Sequence, residues 1–192
     1  MRIADADILI ITGWSSSGED HWQSRWERGM KTAHRVEQTD WFNPDKDAWV
    51  HNILLAIAES RRPPVLVAHS LGVAAVAHAA RRIPMNLVAG AFLVAPADVD
   101  NAAQWPVTAG QTFEASGIGF TPLPVLPLSF PAALVASSDD PYCSLDRARC
   151  IAGEWGAKLI EVGNCGHINT ASGHGPWPEG LLHFGGLLSR LE

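Results

Sequence analysis

The stretch "PVLVAHSLGVAAVAHAARR", Pro64 to Arg82, decides how the rest of the sequence is interpreted. Val65 to Ala68 form a short, continuous apolar run with β-branched residues, which is typical of a strand buried on both faces of a parallel sheet. From Leu71 onward, small and apolar residues continue for more than two helical turns and end in two arginines, which suit a helix C-terminus. Only His69 and Ser70 separate the strand from the helix, so the pattern predicts an abrupt turn.

An abrupt strand-to-helix turn with a serine at its apex is typical of a nucleophile elbow, whose usual pattern is G-x-S-x-G. Here the pattern reads A-H-S-L-G, so Gly72 supplies the second small position and Ala68 replaces the first glycine by one extra methyl group. This pentapeptide alone leaves two interpretations open: a reactive Ser70, or a serine in an ordinary connection. His69 is equally open, since it could face the site or make a structural hydrogen bond.

Apolar runs and helical patterns alternate along the chain. This alternation of β-α-β units predicts an α/β fold in a single domain, residues 1–192, with a doubly wound, mainly parallel sheet flanked by helices. The predicted strands are 8–11, 33–37, 65–68, 87–95, 132–136 and 158–162. The predicted helices are 21–29, 43–57, 71–82, 145–155 and 179–191. Ligands of such sheets bind at the carboxyl ends of the strands, where Ser70 is expected.

The same rule locates a base and an acid to accompany Ser70. The strand at 132–136 runs into "SSDDPYCS", which brings Asp139 and Asp140, and the strand at 158–162 runs into "GNCGHIN", which brings His167. The order serine, aspartate, histidine is the order of the α/β-hydrolases. A serine hydroxyl needs a neighbouring imidazole to take its proton, and a carboxylate to hold that imidazole in the correct tautomer. The spacing leaves both Asp139 and Asp140 as candidates for the acid.

The intermediate of such a reaction carries an oxyanion, which needs preorganised backbone N–H groups. Leu71, which follows the candidate nucleophile at a helix N-terminus, is expected to supply one donor. The loop after the first strand is expected to supply the other, at Trp14.

Four segments together resemble one known family: "TGWSSSGEDHWQSRWE", "VLVAHSLG", "ASSDDPYCS" and "NCGHINTASGHGPWPEG". They are similar to the small, lid-poor serine hydrolases of the α/β-hydrolase superfamily typified by retinoblastoma-binding protein 9, and above all to bacterial relatives. The resemblance implies an α/β-hydrolase fold and a triad of Ser70, Asp140 and His167. The segment before the elbow reads "AESRR" and lacks the L-x-C-x-E motif, so the retinoblastoma protein is not implied as a partner.

Composition narrows the possible partners. The net charge of −6 and the scarcity of clustered Lys and Arg argue against nucleic acid and anionic membranes. No apolar run reaches transmembrane length, the first residues do not form a signal peptide, and three cysteines suit a reducing cytoplasm, so a cytoplasmic location is expected. No cofactor or metal is implied, because the histidines show no zinc-ligand spacing.

The connection from Ala97 to Pro131 determines the expected substrate. Its many prolines and glycines exclude a long amphipathic helix, so the lid is expected to be absent or minimal. We expect Trp105 or Phe120 to reach a shallow pocket beside Trp14, and short acyl esters to be preferred. The predicted function is that of a carboxylesterase-like serine hydrolase acting on a small-molecule ester, or less readily an amide. The alternative is a catalytically weak protein-binding module on the same scaffold.

Overall fold

A six-stranded sheet forms the centre of the molecule. The computed structural model describes residues 1–107, 110, 112–113 and 117–191. The strands are β1 (Asp7–Ile11), β2 (Ala33–Arg35), β3 (Pro64–Ser70), β4 (Gly90–Pro96), β5 (Ala132–Ala136) and β6 (Lys158–Glu161). Their order across the sheet is β2-β1-β3-β4-β5-β6, and every pairing is parallel. The predicted fold class is therefore confirmed.

Helices cover both faces of the sheet. They are α1 (Trp22–Gly29), α2 (Lys46–Glu59), α3 (Leu71–Ala80), α4 (Leu145–Trp155) and α5 (Pro178–Leu188). Buried residues of α2, α3 and α4 share one apolar cluster, and buried residues of α1 and α5 share another. None of the described helices has the length and apolar character that a membrane crossing requires.

Successive side chains of a strand belong alternately to the two clusters. Along β1, Leu9 and Ile11 belong to the α2–α3–α4 cluster, whereas Ile8 and Ile10 belong to the α1–α5 cluster. Because successive side chains of a strand point to opposite faces, a strand covered on both faces must be apolar throughout. This explains why the central strands appear in the sequence as continuous apolar runs.

The sheet reverses its direction of growth beside β1. The chain places β2 on one side of β1, and then crosses to β3 on the other side, from which β4, β5 and β6 follow in order. The loops that leave the carboxyl ends of β1 and β3 therefore diverge and leave a crevice, the usual ligand site of an open parallel sheet. The loop after β1 begins at Thr12, and β3 ends at Ser70.

Some predicted boundaries were wrong by a few residues. The strand predicted from Leu87 begins at Gly90, because Leu87 lies in a turn in which its N–H donates to the Pro84 carbonyl. The last helix ends at Leu188, three residues before its predicted end. The connection of 97–131 contains a short 3₁₀ helix, Val99–Gln104, and part of this connection lies outside the described residues.

Candidate active site

Ser70 stands at the apex of a strained turn between β3 and α3. Its backbone angles are φ 57° and ψ −125°, a conformation that L-residues seldom adopt. Gly72 allows the turn, because a Cβ at this position would lie 2.6 Å from the Thr12 carbonyl oxygen and 2.7 Å from that of Ile11. At the other small position Ala68 is fully buried, so the extra methyl group is accommodated in the core.

A continuous hydrogen-bonded chain links Ser70, His167 and Asp140. His167 Nε2 lies 2.8 Å from Ser70 Oγ, and His167 Nδ1 lies 2.9 Å from each carboxylate oxygen of Asp140. The His167 side chain is 7% exposed and that of Asp140 is 3% exposed, so water screens this pair only weakly. The Tyr142 N–H donates to Asp140 Oδ1 at 2.9 Å and helps to fix the carboxylate.

Asp139 occupies a different place from its neighbour. Its Oδ1 accepts hydrogen bonds from the Ser137 hydroxyl and from the Gly166 N–H, both at 2.7 Å. The hydrogen bond from Ser137, followed by that from Gly166, holds the pKa of Asp139 below its usual value. The sequence left open which of the two aspartates is the acid. The structure places Asp140 against the His167 imidazole and Asp139 against the backbone of the loop that carries His167.

The loop after β1 passes directly beside Ser70. A Cβ on Gly13 would lie 3.2 Å from Ser70 Oγ, so the backbone at Gly13 and Trp14 runs next to the hydroxyl. The N–H groups of Ser15 and Ser16 donate to the carbonyl oxygens of Trp41 and Gly13.

Two backbone N–H groups near Ser70 remain available to a ligand. No acceptor for the Trp14 N–H is present among the described residues. Leu71 is the first residue of α3, so its N–H has no acceptor one turn earlier in the helix. Leu71 directly follows Ser70, and Trp14 directly follows Gly13, whose backbone runs beside the Ser70 hydroxyl. Their role as oxyanion donors stays a prediction.

A cavity of about 200 Å³ opens at the hydrogen-bonded chain. It is lined by residues 13–18, His21, His69, Ser70, Trp105, Tyr142, His167 and 169–171. Of the predicted substrate-binding residues, Trp14 and Trp105 line this cavity. Tyr142 joins them: its ring centroid lies 4.2 Å from that of His167 and 5.6 Å from that of Trp105.

The expectation that Phe120 lines this cavity is wrong. Phe120 is 2% exposed and packs edge-on against Trp49 of α2, at 5.8 Å between ring centroids. Its backbone carbonyl accepts a hydrogen bond from His78 of α3. The backbone carbonyl of Phe120 thus bonds to α3, and its apolar ring packs in the core.

The cavity wall contains two histidines outside the hydrogen-bonded chain. Burial, and after it the proximity of His167 and Arg35, lowers the pKa of His21 to about 3. Burial also lowers the pKa of His69 well below its ordinary value, with His167 as the next cause. Both imidazoles are therefore neutral near pH 7.

Sequence reasoning missed several residues of the wall. Tyr142 stood in the quoted "SSDDPYCS" segment, and its position two residues after Asp140 could have indicated that it lies at the site. The cavity residues 169–171 gave no such signal, because they enter the wall only through the course of the loop after His167.

Comparisons with known proteins agree with this fold. The model of the serine hydrolase family matches residues 8–185. A YdeN-like hydrolase from Pectobacterium atrosepticum SCRI1043 is 31% identical, with a TM-score of 0.79 and coverage of 95% of this chain and 90% of that one. No curated protein sequence matches the chain.

Two more distant structures share the fold alone. The ydeN gene product of Bacillus subtilis is 19% identical, with a TM-score of 0.72 and coverage of 96% of this chain and 100% of that one. The esterase RhEst1 of Rhodococcus sp. ECU1013 is 12% identical, with a TM-score of 0.71 and coverage of 100% and 93%. The more specific resemblance to retinoblastoma-binding protein 9 stays a prediction. On the extent of the family match and the fold it shares, the chain belongs to the serine hydrolase family of α/β-hydrolase-like proteins.

Proposed function

We propose that this serine hydrolase is a carboxylesterase-like enzyme that cleaves a small carboxylic ester through an acyl-serine intermediate. The observation that carries the proposal is the chain of short hydrogen bonds: 2.8 Å from Ser70 Oγ to His167 Nε2, and 2.9 Å from His167 Nδ1 to Asp140. A base within hydrogen-bond distance of the nucleophile, itself oriented by a buried carboxylate, is the arrangement that activates a serine hydroxyl.

The roles follow from this geometry. Ser70 Oγ attacks the ester carbonyl carbon while His167 Nε2 takes the hydroxyl proton, and Asp140 stabilises the imidazolium that forms. When the tetrahedral intermediate collapses, the bond to the alkoxy oxygen breaks and His167 gives its proton to the departing alcohol. A water molecule then attacks the acyl-serine with the same assistance from His167, which releases the acid and restores the Ser70 hydroxyl.

The developing negative charge needs donors already in place. The N–H groups of Leu71 and Trp14 are assigned to this task, since neither has an acceptor of its own among the described parts of the chain. The N-terminus of α3 also carries a partial positive charge that favours an anion at this place. Removal of one such donor raises the barrier of related enzymes by about 2.7–4 kcal/mol.

The cavity favours substrates that are short and uncharged. Its volume of about 200 Å³ lies below the roughly 300–1,000 Å³ of sites that enclose larger ligands. No Asp, Glu, Lys or Arg side chain lines it among the described residues, and both His21 and His69 are held neutral by burial. An acyl group with its own carboxylate or ammonium would therefore lose its hydration without gaining a counter-charge.

Hydrolysis of p-nitrophenyl acetate by the wild type and by Ser70→Ala tests the proposal. We expect multiple turnovers by the wild type and only background hydrolysis by the variant, with both proteins folded by circular dichroism. The singly charged mono-p-nitrophenyl succinate, compared with the neutral butyrate ester of equal chain length, is expected to be a poor substrate. Equal rates of wild type and Ser70→Ala would reject the proposed mechanism.

A further inference from the structure

The loop that carries His167 has an unusual backbone conformation just after the imidazole. Ile168 has φ +48°, in the left-handed region, although it is β-branched and fully buried. For a β-branched residue this conformation is an outlier, and it persists only where neighbouring contacts over-determine it. The conformation of this segment therefore depends on the contacts that its neighbours make with it.

Two buried side chains donate to successive carbonyl oxygens of the segment. His69 Nε2 lies 2.8 Å from the His167 carbonyl oxygen, and Trp22 Nε1 donates to the Ile168 carbonyl oxygen at 2.9 Å. Because a carbonyl oxygen can only accept, the Nε2 of His69 carries the proton. His69 is 5% exposed and Trp22 is not exposed, so water does not compete for these bonds.

Both donors are themselves held by packing. The ring of His69 lies between those of His21, at 4.9 Å, and His167, at 4.8 Å between centroids. The indole of Trp22 packs edge-on against Trp26, at 4.8 Å, and against Trp177, at 5.1 Å. Neither donor can shift without disturbing these neighbours, which makes them rigid supports.

The position of His69 in the chain connects the two halves of the site. His69 immediately precedes Ser70 at the end of β3. The end of one strand therefore carries the nucleophile, Ser70, and also the side chain that bonds to the backbone of His167, the residue that accepts the proton of Ser70. A shift of the His167 carbonyl would move the imidazole relative to Ser70 Oγ. The hydrogen bonds from His69 and Trp22 thus help to maintain the 2.8 Å distance from His167 Nε2 to Ser70 Oγ.

We propose that His69 and Trp22 are positioning residues: their hydrogen bonds to the His167 and Ile168 carbonyl oxygens hold a strained loop in the conformation that aligns His167 with Ser70. This inference rests on the proposed function, in which His167 is the base. It assigns His69 a role through its Nε2–H donor and not through its ring volume or its charge. The His69 side chain takes no proton in the reaction.

Matched variants separate this role from a general effect on folding. His69→Leu keeps an apolar side chain of similar size and removes the donor, whereas His69→Gln keeps an amide N–H that can reach the same carbonyl. His78→Leu is the control, because His78 Nε2 makes the same kind of bond, 2.8 Å to the Phe120 carbonyl oxygen, and does not line the cavity. The assay is p-nitrophenyl acetate hydrolysis, with rates normalised to the folded fraction.

We expect His69→Leu to lower kcat by about 10- to 100-fold with KM changed by less than about threefold, since misplacement of about 1 Å can cost 100-fold. His69→Gln is expected to recover most of this loss, and His78→Leu to lower the melting temperature without lowering kcat. Wild-type kcat in folded His69→Leu would overturn the proposal. So would a His69→Gln variant as slow as His69→Leu.

A second variant covers the case in which His69→Leu does not fold. Trp22→Phe keeps an aromatic ring in the cluster but removes the donor to Ile168, and it is expected to lower kcat in the same way; an unchanged kcat would overturn the proposal. Ser70→Ala distinguishes the two levels of inference. If Ser70→Ala still turns over ester, the proposed function fails, whereas an inactive Ser70→Ala beside a fully active Trp22→Phe rejects only the positioning role.

Discussion

Gly13→Ala places one methyl group between the two loops of the site. A Cβ on Gly13 would lie 2.7 Å from Ser70 Cβ and 3.2 Å from both Ser70 Oγ and the His69 carbonyl oxygen. Unstrained carbon contacts are about 3.5–4.0 Å, so the loop and the elbow must separate by roughly 1 Å. This displacement acts on the Trp14 N–H and on Ser70 together.

A shift of about 1 Å in a reacting group can cost about 100-fold, so we expect kcat/KM for p-nitrophenyl acetate to fall by about two orders of magnitude. Overpacking of this kind also costs about 1–3 kcal/mol in the free energy of unfolding, which urea denaturation measures. The control is Gly153→Ala in α4, where an added Cβ meets no atom within 4 Å. It is expected to keep wild-type kcat/KM and to gain about 0.5–1 kcal/mol of stability, because alanine favours the helix.

The test compares the kcat/KM values of Gly13→Ala and Gly153→Ala. A Gly13→Ala variant whose kcat/KM stays within about threefold of the wild type would refute the reasoning, because the loop would then tolerate the displacement that was expected to cost about 100-fold. A loss of activity in Gly153→Ala would show that the assay reports global stability.

Three further predictions concern the acid, the pH dependence and the substrate. Asp140→Asn is expected to lower kcat by orders of magnitude, because the imidazole of His167 loses its orienting carboxylate. Asp139→Asn is expected to lower kcat less, since Asp139 bonds to the Gly166 N–H instead. Steady-state kinetics with the reverse ranking would assign Asp139 as the acid. Because burial lowers the pKa of His21 to about 3, the unfolded chain binds a proton at this position before the folded chain does as the pH falls below about 6.5. The contribution of His21 to stability is therefore full above that pH and falls by about 2 kcal/mol between pH 7 and pH 5. The lowered pKa of His69 acts in the same direction, and urea unfolding with equal midpoints at the two pH values would contradict this. Among p-nitrophenyl esters, kcat/KM is expected to be highest from acetate to butyrate, because each CH₂ that finds no room forgoes roughly 0.8 kcal/mol, and an optimum at decanoate would reveal a deep covered channel.

The sheet and the place of the hydrogen-bonded chain could be predicted from the sequence because both depend on local pattern and on one topological rule. Apolar runs identified the strands, and the carboxyl ends of parallel strands share an edge, so Ser70, His167 and one of Asp139 and Asp140 were expected to lie near one another. The choice of Asp140 came from the resemblance to a known family. The boundaries that missed, such as the start of β4 at Gly90, lie where an apolar residue occupies an exposed turn.

Features that depend on contacts distant along the chain could not be predicted. The bond from Trp22 to Ile168 joins residues 146 apart, and that from His69 to His167 joins residues 98 apart. Phe120 was misassigned for the same reason, since nothing near it in the sequence shows that Trp49 and His78 draw it into the core. The arrangement of side chains around the cavity therefore required the structure.

The most direct test of the central claim is the identification of the residue that a fluorophosphonate modifies. Such a probe phosphonylates a serine only where a base has activated it, so the reaction does not depend on the choice of substrate. Peptide mass spectrometry after labelling is expected to show one adduct, on Ser70, which disappears in a Ser70→Ala variant of unchanged melting temperature. An adduct on another residue, or undiminished labelling of Ser70→Ala, would contradict the assignment of Ser70 as the nucleophile.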